Sequence, residues 1–342
     1  MADLPKLSVL DLATVSEGST PADALRNSLE LAQHVERLGF HRYWVAEHHN
    51  MPGIASSAPA VLIAEIASAT ERMRVGSGGV MLPNHAPLVV AEQFGMLDAL
   101  HPDRIDLGIG RAPGTDGMTA MALRRDASPL SDDDFPQTLG ELVGFFEGRF
   151  PAGHPYSHIT AVPGAGNLPE IWLLGSSGYS AQVAGMLGWP FSFAHHFMAR
   201  NTLPALQLYR ESFRPSGRLD APQTMVAVAV ICADDDETAR YLSRPARLSM
   251  ARLRSGHPTR FPSNEEAAAH EFSPHDEAKI ADLTGSAIVG GPDTVRRRLE
   301  ELAESTRADE LMITTMVFDH VDRRRSYELV AELAGVSGAA TA

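Results

Sequence analysis

Tyr43-Trp44-Val45-Ala46-Glu47-His48-His49-Asn50 is an apolar run that stops on one carboxylate and two imidazoles. On a strand, side chains alternate between faces, so Glu47 and His49 share one side and His48 stands on the other. Adjacent histidines on opposite faces cannot both serve one metal. The run therefore delivers one titratable ring, with an ordinary pKa near neutrality, to the carboxyl end of a buried strand. The competing reading is a pair of strand-end histidines satisfied within the core.

Further segments carry groups that a small-molecule site uses. Gly76-Ser77-Gly78-Gly79-Val80-Met81-Leu82-Pro83 puts three glycines into a core strand, which points to a bulge or to a planar ligand lying against the main chain. Gly108-Ile109-Gly110-Arg111-Ala112-Pro113-Gly114 superficially matches a dinucleotide fingerprint, but Pro113 and Gly114 break the chain where that motif needs a helix to begin. Arg111 is instead a candidate phosphate ligand, with a surface salt bridge as the alternative. Gly175-Ser176-Ser177-Gly178-Tyr179-Ser180 opens a helix with small hydroxyls and free N–H groups, an anion site unless the serines are simple caps. Ala194-His195-His196-Phe197 supplies a second imidazole pair. Neither pair has the H-x-H spacing of barrel metallohydrolases, and His154 and His158 lie among Gly153 and Pro155 in a loop, so no metal is expected.

Composition narrows the class. The formal net charge of −14 argues against nucleic acid or an anionic membrane as the main partner. The single cysteine, Cys232, excludes an intramolecular disulfide or a thiolate metal cluster. Met1-Ala2-Asp3-Leu4-Pro5-Lys6 is not a basic segment followed by a long apolar one, and no run approaches a membrane span. A cytoplasmic protein is the expectation.

These groups hang on a repeating frame. Strands are expected at Leu7–Thr14, Tyr43–Asn50, Val75–Leu82, Ile105–Arg111, Ile171–Gly175, Phe191–Phe197, Met225–Cys232 and Glu310–Val317. Between them run helical patterns, the first opened by Thr20-Pro21-Ala22-Asp23 and closed by Gly39. Such alternation means βαβ units and a parallel sheet. Two excursions interrupt it, at about 112–168 with one helix at Phe135–Phe146, and at about 243–286 with one helix around Glu265–Glu271. Residues Gly335–Ala342 read as frayed. Read as eight strand–helix pairs, the 342 residues suit an α/β fold, a (β/α)8 TIM barrel with two insertions in a single domain over residues 1–342. An open doubly wound sheet shows the same alternation and is the alternative.

Val45-Ala46-Glu47-His48-His49, Val75–Pro83, Arg104–Arg111 and Gly175-Ser176-Ser177 together resemble the bacterial luciferase-like flavin monooxygenases, nearest to single-chain, non-luminescent members, over essentially the whole chain. The resemblance implies a (β/α)8 barrel, usually a homodimer, that binds reduced FMN from a separate flavin reductase and reacts it with O2 to oxidise a small organic substrate such as an aldehyde or another carbonyl compound. It makes His48 the active-site histidine, with Glu47 behind it. It places a cis peptide at Gly78-Gly79 and the flavin phosphate near Arg111, Ser176, Ser177 and Ser180. Ala13, Thr14, Val80, Tyr179 and His195 complete the cofactor-binding set it suggests, and the 243–286 segment falls where luciferase has a mobile lid. Gly78-Gly79 replaces a bulkier alanine pair of luciferase, and Ser176 stands where luciferase has an acid. A deazaflavin-dependent hydride transferase of the same fold and a non-catalytic flavin-binding protein are the rival readings.

Overall fold

The computed structural model describes residues 4–124 and 134–336. Part of the first excursion, residues 125–133 with Asp132 and Asp133 among them, and most of the tail expected to fray lie outside them. The strands are β1 (Lys6–Asp11), β2 (Arg42–Val45), β3 (Arg74–Met81), β4 (Ile105–Gly110), β5 (Glu170–Gly175), β6 (Phe191–Ala194), β7 (Thr224–Cys232), β8 (Ile288–Gly290) and β9 (Glu310–Thr314). The helices are α1 (Pro21–Leu38), α2 (Pro59–Ala69), α3 (Pro87–Leu100), α4 (Gly117–Arg124), α5 (Phe135–Glu147), α6 (Gly178–Leu187), α7 (His195–Met198), α8 (Thr202–Ser212), α9 (Asp236–Arg254), α10 (Asn264–Ala269), α11 (Pro274–Ser286), α12 (Pro292–Thr306) and α13 (His320–Ala334).

All strand pairings are parallel, and β6–β7 and β1–β9 close the sheet into a ring of eight strands. Closure excludes the open doubly wound sheet. The ring is made of the eight strands expected from the sequence, and a ninth, unexpected strand lies beside it. Ile288–Gly290 pairs only with Val230–Cys232 at the end of β7 and stands outside the barrel.

Local signals explain the frame. Thr20 caps α1 in a reciprocal capping box with Asp23, Pro21 fills the first turn, and Gly39 ends the helix at φ 94°. Leu31, Ala32 and Val35 of its inner face pack against the outward residues Leu7, Val9, Tyr43 and Val45 of β1 and β2. Inside the barrel, the amino-terminal end is plugged. Arg42 pairs with Asp106 at 2.8 Å and Glu310 at 2.9 Å, Ser8 bonds Glu310, and the Trp44 indole donates to Asp106 at 2.8 Å. Trp172 meets Trp44 edge-to-face at 5.6 Å. Space for a ligand remains only towards the carboxyl ends of the strands.

Four strands, β1, β2, β6 and β9, stop three or more residues earlier than their patterns suggest. β2 ends at Val45 because Ser56 takes over the pairing: its carbonyl accepts from His48 N, and its hydroxyl donates to the Ala46 carbonyl. β6 ends at Ala194, and His195 begins the one-turn helix α7 instead of continuing the strand.

Both excursions are more helical than expected. In the first, α4 precedes α5; its signal was Asp116, whose carboxylate accepts from Thr119 N at 3.0 Å. In the second, α9 begins at an Asp235 cap and continues through the buried Pro245, where sequence reasoning expects a break. Ser263 caps α10, and Ser273 bonds Asp276 at the start of α11.

Candidate active site

A cavity of about 720 Å³ opens at the carboxyl ends of the strands. Its inner wall is built from alternate residues at the strand ends: Leu10 in β1 and Leu12 beyond it, Trp44 in β2 with Ala46 and His48 beyond it, and Met312 and Thr314 in β9 with Met316 beyond it. Helices α9 and α11 contribute the outer wall through Ser243, Met250, Leu253 and Ile280.

Gly78 and Gly79 line one side. The strand carries a bulge here, with the β3–β4 register shifting between Gly78 and Val80, and the Gly78–Gly79 peptide is cis. A Cβ on Gly79 would stand 2.6 Å from the Gly108 carbonyl, and one on Gly78 would stand 2.7 Å from the Leu10 side chain. The result is a strip of bare backbone facing an apolar space. Val80, by contrast, is buried in the core behind the sheet and does not line the cavity.

At one end Arg111, Ser176, Ser177 and Ser180 come together around the start of α6. Ser177 is the N-cap residue in an extended conformation, yet its hydroxyl makes no capping bond, so it remains available to a ligand. The Arg111 guanidinium lies over the Tyr179 ring at 4.6 Å. Tyr179 therefore supports Arg111 from behind and does not itself line the cavity.

His48 reaches the cavity wall, with its Nδ1 3.2 Å from the Gly114 carbonyl. A carbonyl only accepts, so Nδ1 carries the proton and a neutral ring turns a bare Nε2 outward. Burial pulls this imidazole below its ordinary pKa, against opposing pulls from the Gly114 carbonyl and the Glu47 carboxylate.

Glu47 lies outside the cavity lining, fully buried. It accepts from His49 Nε2 and His85 Nε2, both at 2.9 Å, from Met81 N at 2.9 Å, and from Asn84 Nδ2 at 3.3 Å. Asn84 also donates to the Pro113 carbonyl at 2.8 Å. Burial alone would raise this carboxyl; the hydrogen bonds and charge of His85, joined by His49 and Met81 N, outweigh it and hold the pKa below the ordinary carboxylate value. The carboxylate thus pins the Pro113–Gly114 turn that receives His48.

The second histidine pair divides differently from the sequence expectation. His195 hydrogen-bonds Thr202 Oγ1 at 2.8 Å and does not line the cavity. His196, which sequence reasoning passed over, does. Its Nδ1 is 3.0 Å from the Ala227 carbonyl, and burial depresses its pKa to about 4. A parity signal was available: Ser192 and Ala194 face inward, and the next even position is His196. Ala13 and Thr14 also stand apart from the cavity, in the loop after β1, where Ala13 adopts φ 50° and donates its N–H to Asp11.

Among the described residues no group of three or more His, Cys, Asp or Glu side chains could hold a metal ion, and no helix is long and apolar enough to cross a membrane. The site suits a flat ring with an anionic tail: a backbone strip for the ring face, and an arginine with an uncapped helix start for the tail. Thr314 Oγ1, buried in the lining without a protein partner, adds a polar group for such a ligand.

A sequence model described as luciferase-like monooxygenase matches residues 6–310. A protein of Escherichia coli (strain K12) named luciferase-like monooxygenase is 45% identical over 326 residues, covering 95% of this chain and 96% of its own. The crystal structure of apo-MsnO8 superposes with a TM-score of 0.89 at 39% identity, covering 97% of this chain and 99% of that one. Two more distant structures share the fold. One is the oxygenating constituent of 3,6-diketocamphane monooxygenase from Pseudomonas putida in complex with FMN, with a TM-score of 0.74, 18% identity and coverage of 97% and 99%. The other is an F420-dependent secondary alcohol dehydrogenase, with a TM-score of 0.70, 14% identity and the same coverage. With the match spanning nearly the whole barrel, the chain belongs to the luciferase-like monooxygenase family.

Proposed function

We propose that this protein is an FMN-dependent monooxygenase that takes reduced FMN from a separate reductase and uses O2 to oxidise a small organic substrate. The observation that carries this reading is the shared cavity itself: the bare Gly78–Gly79 strip, the Arg111 and α6 anion seat, and the His48 imidazole all face one space. Arg111, Ser176, Ser177 and Ser180 would hold the flavin phosphate, and the Gly78–Gly79 backbone would lie against the ring. Bound reduced flavin supplies the electrons with which one atom of O2 is transferred to substrate and the other leaves as water.

The chain's own groups do the rest. His48 Nε2, facing the cavity, would hold or release a proton there, and Glu47 keeps that imidazole in place through the Pro113–Gly114 turn. Helices α9 and α11 cover the outer side and exclude water. A homodimer through α2 and α3 is part of the proposal: Val61, Val89, Met96 and Leu100 on these neighbouring helices are 68%, 43%, 52% and 67% exposed.

Equilibrium titration with FMN and with the deazaflavin F420 tests the cofactor. FMN should bind with at least tenfold preference, and with a flavin reductase and NADH the protein should convert a member of a panel of small carbonyl compounds, aldehydes and oxo acids included, to a product carrying 18O from 18O2. Preference for F420, the cofactor named for one of the distant neighbours, would favour hydride transfer. Flavin binding without product from any substrate would favour a storage role.

A further inference from the structure

The protein carries a net charge of −14, but the cavity has the opposite character. Among the described residues its lining holds four arginines, Arg111, Arg240, Arg247 and Arg298, and neither Asp nor Glu. Three of the four have evident company. Arg111 stacks on Tyr179 at the α6 seat. Arg247 pairs with Glu277 at 2.6 Å and stacks on Phe272. Arg240 is exposed at the outer edge, within the fields of Asp235 and Asp236.

Arg298 is different. It stands in the middle of α12, half-buried, and one Nη1–H is used on the Ala287 carbonyl at 2.9 Å. Among the described residues it forms no ion pair. Thr294, one turn back on the same helix face, already bonds Asp236, whose other oxygen accepts from Gly291 N at 2.7 Å. A guanidinium at the wall of a largely apolar cavity keeps a fork of donors that fits a carboxylate. Phe197, Ile231, Ile280 and Val289 lie along the same cavity and would receive an apolar body.

We propose that Arg298 is the specificity residue for the substrate, and that the substrate is a small organic anion with a carboxylate or similar oxyanion on an apolar body. This rests on the flavin reading, in which Arg111 and the α6 hydroxyls are committed to the cofactor phosphate. A second cationic group in a lining that holds neither Asp nor Glu among the described residues then answers a second anion.

The test uses the full-length protein and matched probes, hexanoate and hexanamide, titrated calorimetrically with and without saturating FMN. Hexanoate should bind at least tenfold more tightly than hexanamide. Arg298→Met should erase that preference while leaving FMN affinity and hexanamide affinity within about twofold, and Arg298→Lys should keep part of the preference. Equal affinity of the unaltered protein for the two probes overturns the proposal. It is overturned equally if Arg298→Met weakens FMN and spares the hexanoate preference, since Arg298 would then serve the phosphate. A hexanoate preference that depends on Arg298 in a protein failing to bind FMN upholds the anion seat and strikes the flavin reading alone.

Discussion

His48 Nδ1 stands 3.2 Å from the carbonyl oxygen of Gly114, a residue far along the chain whose turn is pinned by Asn84 and, through it, by Glu47. The carbonyl selects the tautomer that leaves Nε2 bare at the cavity wall. His48→Ala should therefore lower kcat by about 100- to 10,000-fold, the usual range for a lost proton-transfer group, with FMN affinity nearly intact. Steady-state kinetics beside an FMN titration check this, and unchanged turnover would remove His48 from the chemistry.

Glu47 touches no cavity space, so its effect on turnover must be indirect. Glu47→Ala leaves His49 and His85 without their shared acceptor and should cost about 3 kcal/mol of stability, typical of breaking a buried charged pair. Glu47→Gln should cost less, because it keeps an oxygen for part of the network. The folded-state pKa is depressed, so the carboxylate's contribution is present above its unfolded value of 4.5 and fades as pH falls through the lower folded value. Urea denaturation of the parent and of Glu47→Gln across pH 3 to 7 should show a shallower acid-side loss in the variant than in the parent.

His196 gives the same slope through the opposite charge. Its folded pKa of about 4 lies below the ordinary 6.5, so between those values the unfolded chain binds a proton that the folded one refuses. Stability should rise with pH across this window and flatten above it. His41, also depressed to about 4 by burial, contributes in the same direction. His196→Gln should thus reduce the slope without abolishing it; an unchanged slope would mean that the ring is solvated in the native protein.

Much of this was legible in the sequence because period and punctuation agree with the fold. The capping box at Thr20, Gly39 and the βαβ alternation define the barrel before any contact is known. The departures have physical causes. β8 is too short for a sequence pattern to mark, and its three residues form a strand only where they meet the end of β7. Pro245 argues against a helix, yet burial of its ring within α9 overrides the lost hydrogen bond. In the site, inward parity was readable through Trp44, Ala46 and His48 and through Ser192, Ala194 and His196, whereas the Glu47–His85 contact joins positions with no common sequence pattern.

The exposed apolar faces of α2 and α3 give a prediction about assembly. Val89, Met96 and Leu100 share one helical face, with Val61 on the adjacent helix. Val61→Asp combined with Leu100→Asp should convert a dimer to monomer in sedimentation velocity, with a far-ultraviolet circular dichroism spectrum like that of the parent. A monomeric parent would defeat the dimer directly.

Glycines in β3 serve two purposes, and substitution separates them. Gly78 and Gly79 face the cavity, but Gly76 does not. A Cβ on Gly76 would stand 2.5 Å from both the Asp106 Cβ and the Asp106 carbonyl oxygen, and 2.9 Å from the Trp44 Nε1 that donates to Asp106. Backbone is among the obstructions, so rotamer changes alone cannot relieve the crowding, and Gly76→Ala should cost at least about 1–3 kcal/mol as an overpacked core. It should not change FMN affinity at temperatures where the variant is folded, because the damage is in the barrel floor. Gly140 in α5 provides the contrast: a Cβ there meets nothing within 4 Å. Gly140→Ala removes unfolded-chain freedom without a clash and should stabilise by about 0.5–1 kcal/mol. Denaturant titrations of the two variants should move in opposite directions; a neutral Gly76→Ala would show that β3 can part from β4 at little cost, and that the floor is looser than the Arg42–Asp106 and Trp44–Asp106 contacts require.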